Sequence, residues 1–151
     1  MFRGATTINL DSKGRIAIPA KYRERLYSAC SGQLVITIDL ELPCLTLFPI
    51  PHWEQLERQL QSLSNTNPIH LSIKRLLLGH ASEVEMDKNA RLVLPPKLRE
   101  HAQLEKHLLL AGMGNTFQIW DEAQWNERIR QDMDAHSGHD WSPDQMPDLK
   151  F

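Results

Sequence analysis

"LDSKGRIAIPAKYRE" spans Leu10–Glu24, and "MDKNARLVLPPKLRE" spans Met86–Glu100, 76 positions later and without a gap. Six of the fifteen paired positions are identical: Asp11 and Asp87, Arg15 and Arg91, Pro19 and Pro95, Lys21 and Lys97, Arg23 and Arg99, and Glu24 and Glu100. An internal repeat constrains the architecture more than any single motif. Because two copies are too few for an open solenoid, we expect them to face each other across a pseudo-twofold axis in one core.

The bulk composition sets the limits for the class of protein. The chain has 151 residues, of which 41% are hydrophobic, which is enough for one domain or for two small halves that share a core. No apolar run approaches the roughly 20 residues of a membrane span, and "MFRGATTINLD" has no apolar signal region. The two cysteines are too few for a disulfide framework or a four-cysteine zinc site. We therefore expect a cytoplasmic protein without a cofactor.

The charge is distributed unevenly along the chain, although the net charge is only −2. Residues 1–25 carry six basic and two acidic side chains, whereas residues 121–151 carry three basic and eight acidic ones. This asymmetry predicts a basic binding face on the first repeat and an acidic C-terminal end held away from it.

Each half is predicted to contain a strand, a tight turn, a return strand, a short helix, a β-hairpin and a second helix. "ATTINLD" alternates like a half-buried strand, "SKG" has turn chemistry, and the proline of "RIAIP" ends the return strand. We divide the chain into a first repeat (1–64), a linker helix (65–79), a second repeat (80–133) and a mobile acidic tail (134–151). Phe48 and Trp53 correspond to Trp120 and Trp125 at a spacing of 72, which predicts a middle hairpin four residues shorter in the second copy.

At these motifs the sequence resembles a known family. "DSKGR" and "DKNAR" are two copies of an Asp-x-x-x-Arg motif. Together with "MFRGATTINLDSKGRIAIPAKYRERL", "PCLTLFPIPHWEQLE" and "RLLLGHASEVEMDKNARLVLPPKLRE" they resemble the MraZ family from residue 1 to about residue 133. The resemblance implies an α+β fold, a pseudo-twofold duplicated swapped-hairpin (AbrB-like) β-barrel with peripheral helices.

The resemblance also implies a function. It implies a sequence-specific DNA-binding transcriptional regulator that represses its own promoter and the downstream division and cell-wall gene cluster. Its partners would be double-stranded promoter DNA, bound at short direct repeats, and further copies of itself in a ring-shaped homo-oligomer. The expected location is cytoplasmic and nucleoid-associated, with no membrane contact and no small-molecule ligand.

The Asp-x-x-x-Arg motif permits two roles for its arginines. Asp11 and Asp87 are predicted to stabilise the turns, because a carboxylate can accept backbone N–H bonds there but would repel DNA phosphates. Arg15 and Arg91 could be fold-defining partners of these acids, or could reach a groove and contact guanine.

The candidate DNA-binding residues are Arg15, Lys13, Arg3, Arg91 and Lys88. The first copy carries Lys13 and Arg3 where the second has Asn89 and Gly79, so we predict that the first copy reads DNA while the second mainly holds the fold and the ring together. A further set of bases on the short helices is either a solvated face paired with Glu24 and Glu100 or a set of phosphate contacts: Lys21, Arg23, Arg25, Lys97 and Arg99.

No catalytic or metal site is predicted. His136 and His139 form a poor metal pair, and neither a Gly-rich phosphate loop nor a nucleophile elbow occurs. The alternative function is a structural or antitoxin-like protein-interaction module that binds a protein partner through its acidic tail.

Overall fold

The computed structural model describes residues 1–137 and Leu149. Within them the chain forms a mixed α/β fold whose strands all pair antiparallel. The elements in chain order are β1 (Ala5–Asn9), β2 (Arg15–Ala17), α1 (Ala20–Cys30), β3 (Gln33–Ile38), β4 (Leu45–Pro49), α2 (Ile50–Gln61), α3 (Pro68–Leu77), β5 (Ser82–Glu85), β6 (Arg91–Val93), α4 (Pro96–His101), β7 (His107–Gly112), β8 (Phe117–Asp121) and α5 (Glu122–His136).

The two halves exchange strands instead of folding separately. The six-stranded sheet has the order β1-β7-β8-β4-β3-β5, and a separate two-stranded ribbon joins β2 to β6. β1 from the first half therefore pairs with β7 from the second, and β5 from the second half pairs with β3 from the first. Neither half has a complete sheet of its own.

The strand registers define a pseudo-twofold axis. In the ribbon Ile16 pairs with Leu92, its own counterpart in the repeat, and in the large sheet Thr46 pairs with its counterpart Gln118. Residues on either side of these pairs exchange places, so that Arg15 lies opposite Val93 and Arg91 lies opposite Ala17. The axis passes through both central pairs, as the internal repeat predicts.

The predicted β-barrel is not closed. Among the described residues, the edge strands β1 and β5 pair only with β7 and β3, not with each other. Each edge strand leads directly into a turn and then into β2 or β6, and these two strands use their hydrogen-bonding groups on each other.

The shortening of the second copy is only partly in the hairpin, so that prediction was wrong in its location. β3 corresponds to β7 at a spacing of 74, whereas β4 corresponds to β8 at a spacing of 72. Two of the four residues are therefore missing before β7, where α4 has 6 residues against 11 in α1, and two are missing from the hairpin loop.

The core lies between the ribbon and one face of the sheet. Ile16 and Leu92 are buried together with apolar side chains of β3, β4, β7 and β8. The predicted aromatic landmarks form an edge-to-face pair in each half, with ring centroids 5.4 Å apart for Phe48 and Trp53 and 5.9 Å apart for the Trp120 and Trp125 pair. Such pairs anchor α2 and α5 to their strands.

The predicted linker and the predicted tail both contain helical residues. α3 lies within the predicted linker and begins at Asn67, whose side chain accepts the backbone N–H of Ile69 at 2.9 Å. None of its side chains is fully buried, and Ile69 is 70% exposed. α5 extends to His136 and is followed by Ser137, so the first residues of the predicted tail are helical. The rest of the tail, apart from exposed Leu149, lies outside the described residues.

We predict that the ribbon is a main source of stability. Leu92 is fully buried, whereas its neighbour Val93 is 57% exposed on the opposite face of the same strand. Leu92→Ala should lower the free energy of unfolding by about 2–5 kcal/mol, because it leaves a cavity at the pseudo-twofold axis. Val93→Ala is the matched control and should change it by less than about 0.5 kcal/mol. Urea denaturation followed by circular dichroism measures both; equal effects would contradict the assignment.

Candidate nucleic-acid interface

The Asp11 carboxylate organises the first turn. Its Oδ1 accepts the backbone N–H groups of Lys13 and Arg15, both at 2.9 Å, and its Oδ2 accepts the Nε–H of Arg15 at 2.8 Å. The backbone N–H of Gly14 also donates to the carbonyl oxygen of Asp11 at 3.0 Å. One side chain therefore closes the turn and sets the direction of the arginine that follows it.

The second turn repeats this arrangement. Oδ1 of Asp87 accepts the backbone N–H groups of Asn89 at 2.8 Å and Arg91 at 2.9 Å, and Oδ2 accepts the Nε–H of Arg91 at 3.1 Å. The residue before each arginine has a positive φ, 77° at Gly14 and 58° at Ala90. The Asp-x-x-x-Arg spacing thus corresponds to one local structure that is made twice.

Both turn carboxylates are held in their charged form. The backbone N–H of Arg15, followed by its guanidinium group, lowers the pKa of Asp11 below its usual value. The pKa of Asp87 is also lowered, mainly by the backbone N–H of Arg91. Hydrogen bonds to an ionised carboxylate favour that state, so the turn geometry depends on the negative charge.

The two arginines lie on the same face of the ribbon. Cross-strand neighbours in an antiparallel pair share a face, and so do residues two apart in one strand. Arg15, Ala17, Arg91 and Val93 therefore point away from the core, while Ile16 and its partner point into it. Diagonal neighbours of this kind have Cα atoms about 7–8 Å apart. The ribbon thus presents both arginines on its outer face.

Each guanidinium group keeps donors available. Within the part of the chain that the structure describes, the Nε of Arg15 and the Nε of Arg91 are hydrogen-bonded to their carboxylates, and no partner is found for their Nη atoms. The side chains are 28% and 35% exposed, respectively. The two predicted roles of these arginines are therefore compatible, since Nε serves the turn and the Nη atoms have no partner among the described residues.

The two turns carry the same formal charge, so the predicted inequality between the two copies depends on the residues around them. The first turn has Lys13 and the second has Lys88, both exposed, and each turn adds one aspartate and one arginine. The difference comes from the flanking residues. The first turn is preceded by Asn9 and joined to Lys106 by a backbone hydrogen bond of 2.9 Å, whereas Glu85 precedes the second turn. The surroundings of the first turn remain the more positive.

Arg3 is not brought to the turns. Its carbonyl oxygen accepts the Tyr22 hydroxyl, and its neighbour Phe2 bridges to Gly114 at the far end of the sheet. β1 alone separates the two ends by about 14 Å. The predicted link between Arg3 and the charge of the first turn therefore has no support in the geometry, because sequence proximity along a strand does not mean proximity in space.

Most of the basic residues on α1 have structural partners. The Nζ of Lys21 lies 4.9 Å from the ring centre of Tyr22, and Nη1 of Arg25 donates to the carbonyl oxygen of Met1 at 2.6 Å. In the described residues neither Glu24 nor Glu100 forms the salt bridge that a solvated, paired helix face would contain.

Residues 1–137 contain no group of three side chains suited to a metal ion and no helix long and apolar enough to cross a membrane. His139, half of the histidine pair considered above, lies outside the described residues. Burial raises the pKa of the Cys44 thiol to about 12, so this group is not a thiolate nucleophile at neutral pH.

Asp11→Asn should separate the two roles of the carboxylate. Asparagine keeps an oxygen for the backbone N–H groups but cannot accept the Nε–H of Arg15. Because the pKa of Asp11 is lower in the folded protein, its contribution to stability is present above about pH 4 and is lost as the pH falls further. The urea midpoint of the parent should exceed that of the variant at pH 7, and the difference should shrink below pH 4. A difference that is independent of pH would contradict this role.

Members of one protein family match this chain along its length. Residues 1–76 and 77–141 each match the family model described as MraZ protein, antitoxin-like. Proteins named transcriptional regulator MraZ are similar to this chain: that of Idiomarina loihiensis is 54% identical over 142 residues, covering 94% of this chain and 93% of the relative. That of Escherichia coli O127:H6 is 52% identical, covering 89% of each chain, and that of Salmonella paratyphi A is 48% identical, covering 100% of each. The chain belongs to the MraZ family.

Proposed function

We propose that this chain is a sequence-specific DNA-binding transcriptional regulator and that the outer face of the β2–β6 ribbon, with its two turns, is the contact surface. The observation that carries the proposal is the pair of partly exposed arginines on the outer face of the ribbon, each held by its Nε and with no partner for its Nη atoms among the described residues. The relatives that match the full length are named as transcriptional regulators, which supports the same class.

The geometry suits the major groove of DNA. This groove accepts a two-stranded β-ribbon, and an arginine reads guanine by donating to O6 and N7 together. Because Asp11 occupies the Nε of Arg15, the two Nη atoms remain for such an end-on contact. Lys13 and Lys88 flank the arginines and are placed to meet phosphates, which fix the position without reading the sequence.

The exchange of strands between the halves supports an AbrB-like swapped-hairpin assignment for the fold. Each half contributes one turn to a shared ribbon, so one chain supplies the pair of turns. We propose this assignment for the strand-exchanged body, with the sheet open instead of closed into a barrel. The repeat boundaries at residues 64, 79 and 133 remain part of the proposal.

The regulator is proposed to act as a repressor of its own promoter and of the division and cell-wall gene cluster, bound at direct repeats as a ring near the nucleoid. Exposed apolar residues on two helices, Ile69 on α3 and Met133 on α5, supply surfaces for contact between copies. One ribbon buries little surface on DNA, and linked subunits raise the effective concentration of each further contact.

The competing function is the antitoxin-like interaction module, which the wording of the family description favours. An electrophoretic shift assay with the DNA upstream of the gene separates the two. A regulator predicts a shift that weakens steeply with salt, because phosphate contacts release counterions. Absence of a shift, together with a stable protein complex in a pull-down, would favour the interaction module.

Arg15→Ala should abolish the gel shift while leaving the fold intact. Loss of one guanine contact costs about 1–3 kcal/mol per bound subunit, and several subunits multiply the effect. Arg91→Ala should weaken binding less, because the surroundings of the second turn are less positive. Both arginines make the same bonds to their turns, so the two variants should lose similar stability. Parent-like binding by Arg15→Ala beside loss of binding by Arg91→Ala would reverse the assignment.

Binding should also depend on the spacing of the repeats in DNA. Inserting about 5 base pairs, half a helical turn, rotates one site to the opposite side of the duplex. A rigid multi-subunit assembly then cannot engage both sites, and we expect a sharp loss of affinity in fluorescence anisotropy. An insertion of about 10 base pairs restores the facing and serves as the control. Equal affinity for both insertions would argue against simultaneous engagement.

A further inference from the structure

The strand exchange brings a basic residue of α4 against the first turn. The guanidinium group of Arg99 lies directly on Gly14, between Lys13 and Arg15 in the sequence. A Cβ built on Gly14 would be 2.9 Å from Cζ of Arg99 and 3.1 Å from each of its Nη atoms. The first turn therefore carries a third cation, which comes from the other half of the chain.

The pseudo-equivalent arginine differs from Arg99 in its hydrogen bonding. Arg23 corresponds to Arg99, and its Nε–H donates to the carbonyl oxygen of Ile18 at 2.7 Å. The second turn has Ala90 where the first has Gly14, both with a positive φ. A guanidinium group placed over Ala90 in the same way would collide with the methyl group. The glycine is thus the feature that allows Arg99 to lie on the first turn.

Arg99 has little compensation for its charge within the described residues. Its Nε is buried without a hydrogen-bond partner, and no carboxylate forms a salt bridge with it. The side chain as a whole is only half-buried. The neighbouring groups on the turn are Lys13, which is also a cation, and the paired Asp11 and Arg15. An uncompensated cation at an exposed basic turn is an arrangement that an anion would stabilise.

We infer that Arg99 is a third DNA-contacting residue of the first turn and that it binds a backbone phosphate beside the base contacted by Arg15. This inference rests on the proposed function. A phosphate suits the position better than a base edge, because the guanidinium group lies at the base of the turn on Gly14 and not at its tip. Among the described residues, the corresponding Arg23 differs from Arg99 in that its Nε already has a hydrogen-bond partner within the protein.

Fluorescence anisotropy with the upstream DNA, measured over a series of salt concentrations, tests the inference. Arg99→Gln should weaken binding to specific and unrelated DNA by the same factor, because phosphates carry no sequence information. It should also reduce the salt slope by about 0.9 for each bound subunit. Arg23→Gln is the matched control and should change the slope less, because the Nε–H of Arg23 already donates to the carbonyl oxygen of Ile18. A residue that only supports the fold would move the urea midpoint without this selective change in slope.

Gly14→Ala provides a second, independent variant that keeps the arginine. Ala90 shows that this turn accepts a methyl group at positive φ, and the displaced neighbour is the flexible end of a side chain. The variant should therefore fold and should reproduce the binding defect of Arg99→Gln. The double variant should lose no more than either single one, because both remove the same contact.

Failure of this inference and failure of the proposed function give different results. If Arg15→Ala loses binding while Arg99→Gln and Gly14→Ala both keep the salt slope of the parent, the inference is overturned and the proposed function stands. If Arg99→Gln is unstable, a parent-like slope of Gly14→Ala alone is enough to overturn it. If the parent protein itself binds the upstream DNA no better than unrelated DNA at every salt concentration, the proposed function fails first.

Discussion

The pairing of Ile16 with Leu92 at the pseudo-twofold axis is the constraint on which the rest of the structure depends. β2 and β6 have three residues each and, among the described strands, pair only with each other. Their inner face is part of the core and their outer face carries Arg15 and Arg91. A slip of one residue in either strand would turn the arginine of that strand inward, so burial of the apolar pair also fixes the recognition face.

The Asp–Arg pairs of the turns serve orientation more than stability. Their side chains are roughly one-third exposed, and exposed ion pairs contribute little to folding in solvent. The same carboxylates nevertheless accept three hydrogen bonds each, which fixes the backbone of the turn and the direction of the arginine. A guanidinium group that is already oriented loses less conformational entropy when it meets a base. The pairing therefore prepares the arginines for binding.

Much of this could be predicted from local sequence. The repeat predicted the two equivalent turns, and alternation with turn residues located most strands. The features that were not predicted depend on how segments distant in the sequence pack together. The sheet is open because its edge strands β1 and β5 do not pair with each other, and the separation of Arg3 from the turn follows from the direction of β1. The position of Arg99 on Gly14 requires the strand exchange, which places α4 beside a turn 85 residues earlier in the chain. No local pattern carries that information.

The proposed contact between the outer face of the ribbon and DNA can be tested directly. The most direct measurement is a cryo-electron microscopy map of the protein bound to the DNA upstream of its gene. If the outer face contacts DNA, the map will show the ribbon in the major groove. The Nη atoms of Arg15 will lie within hydrogen-bonding distance of a base edge, and its Nε will still be bonded to Asp11. A map in which the DNA lies against the helices, with Arg15 and Arg91 both facing solvent, would contradict it.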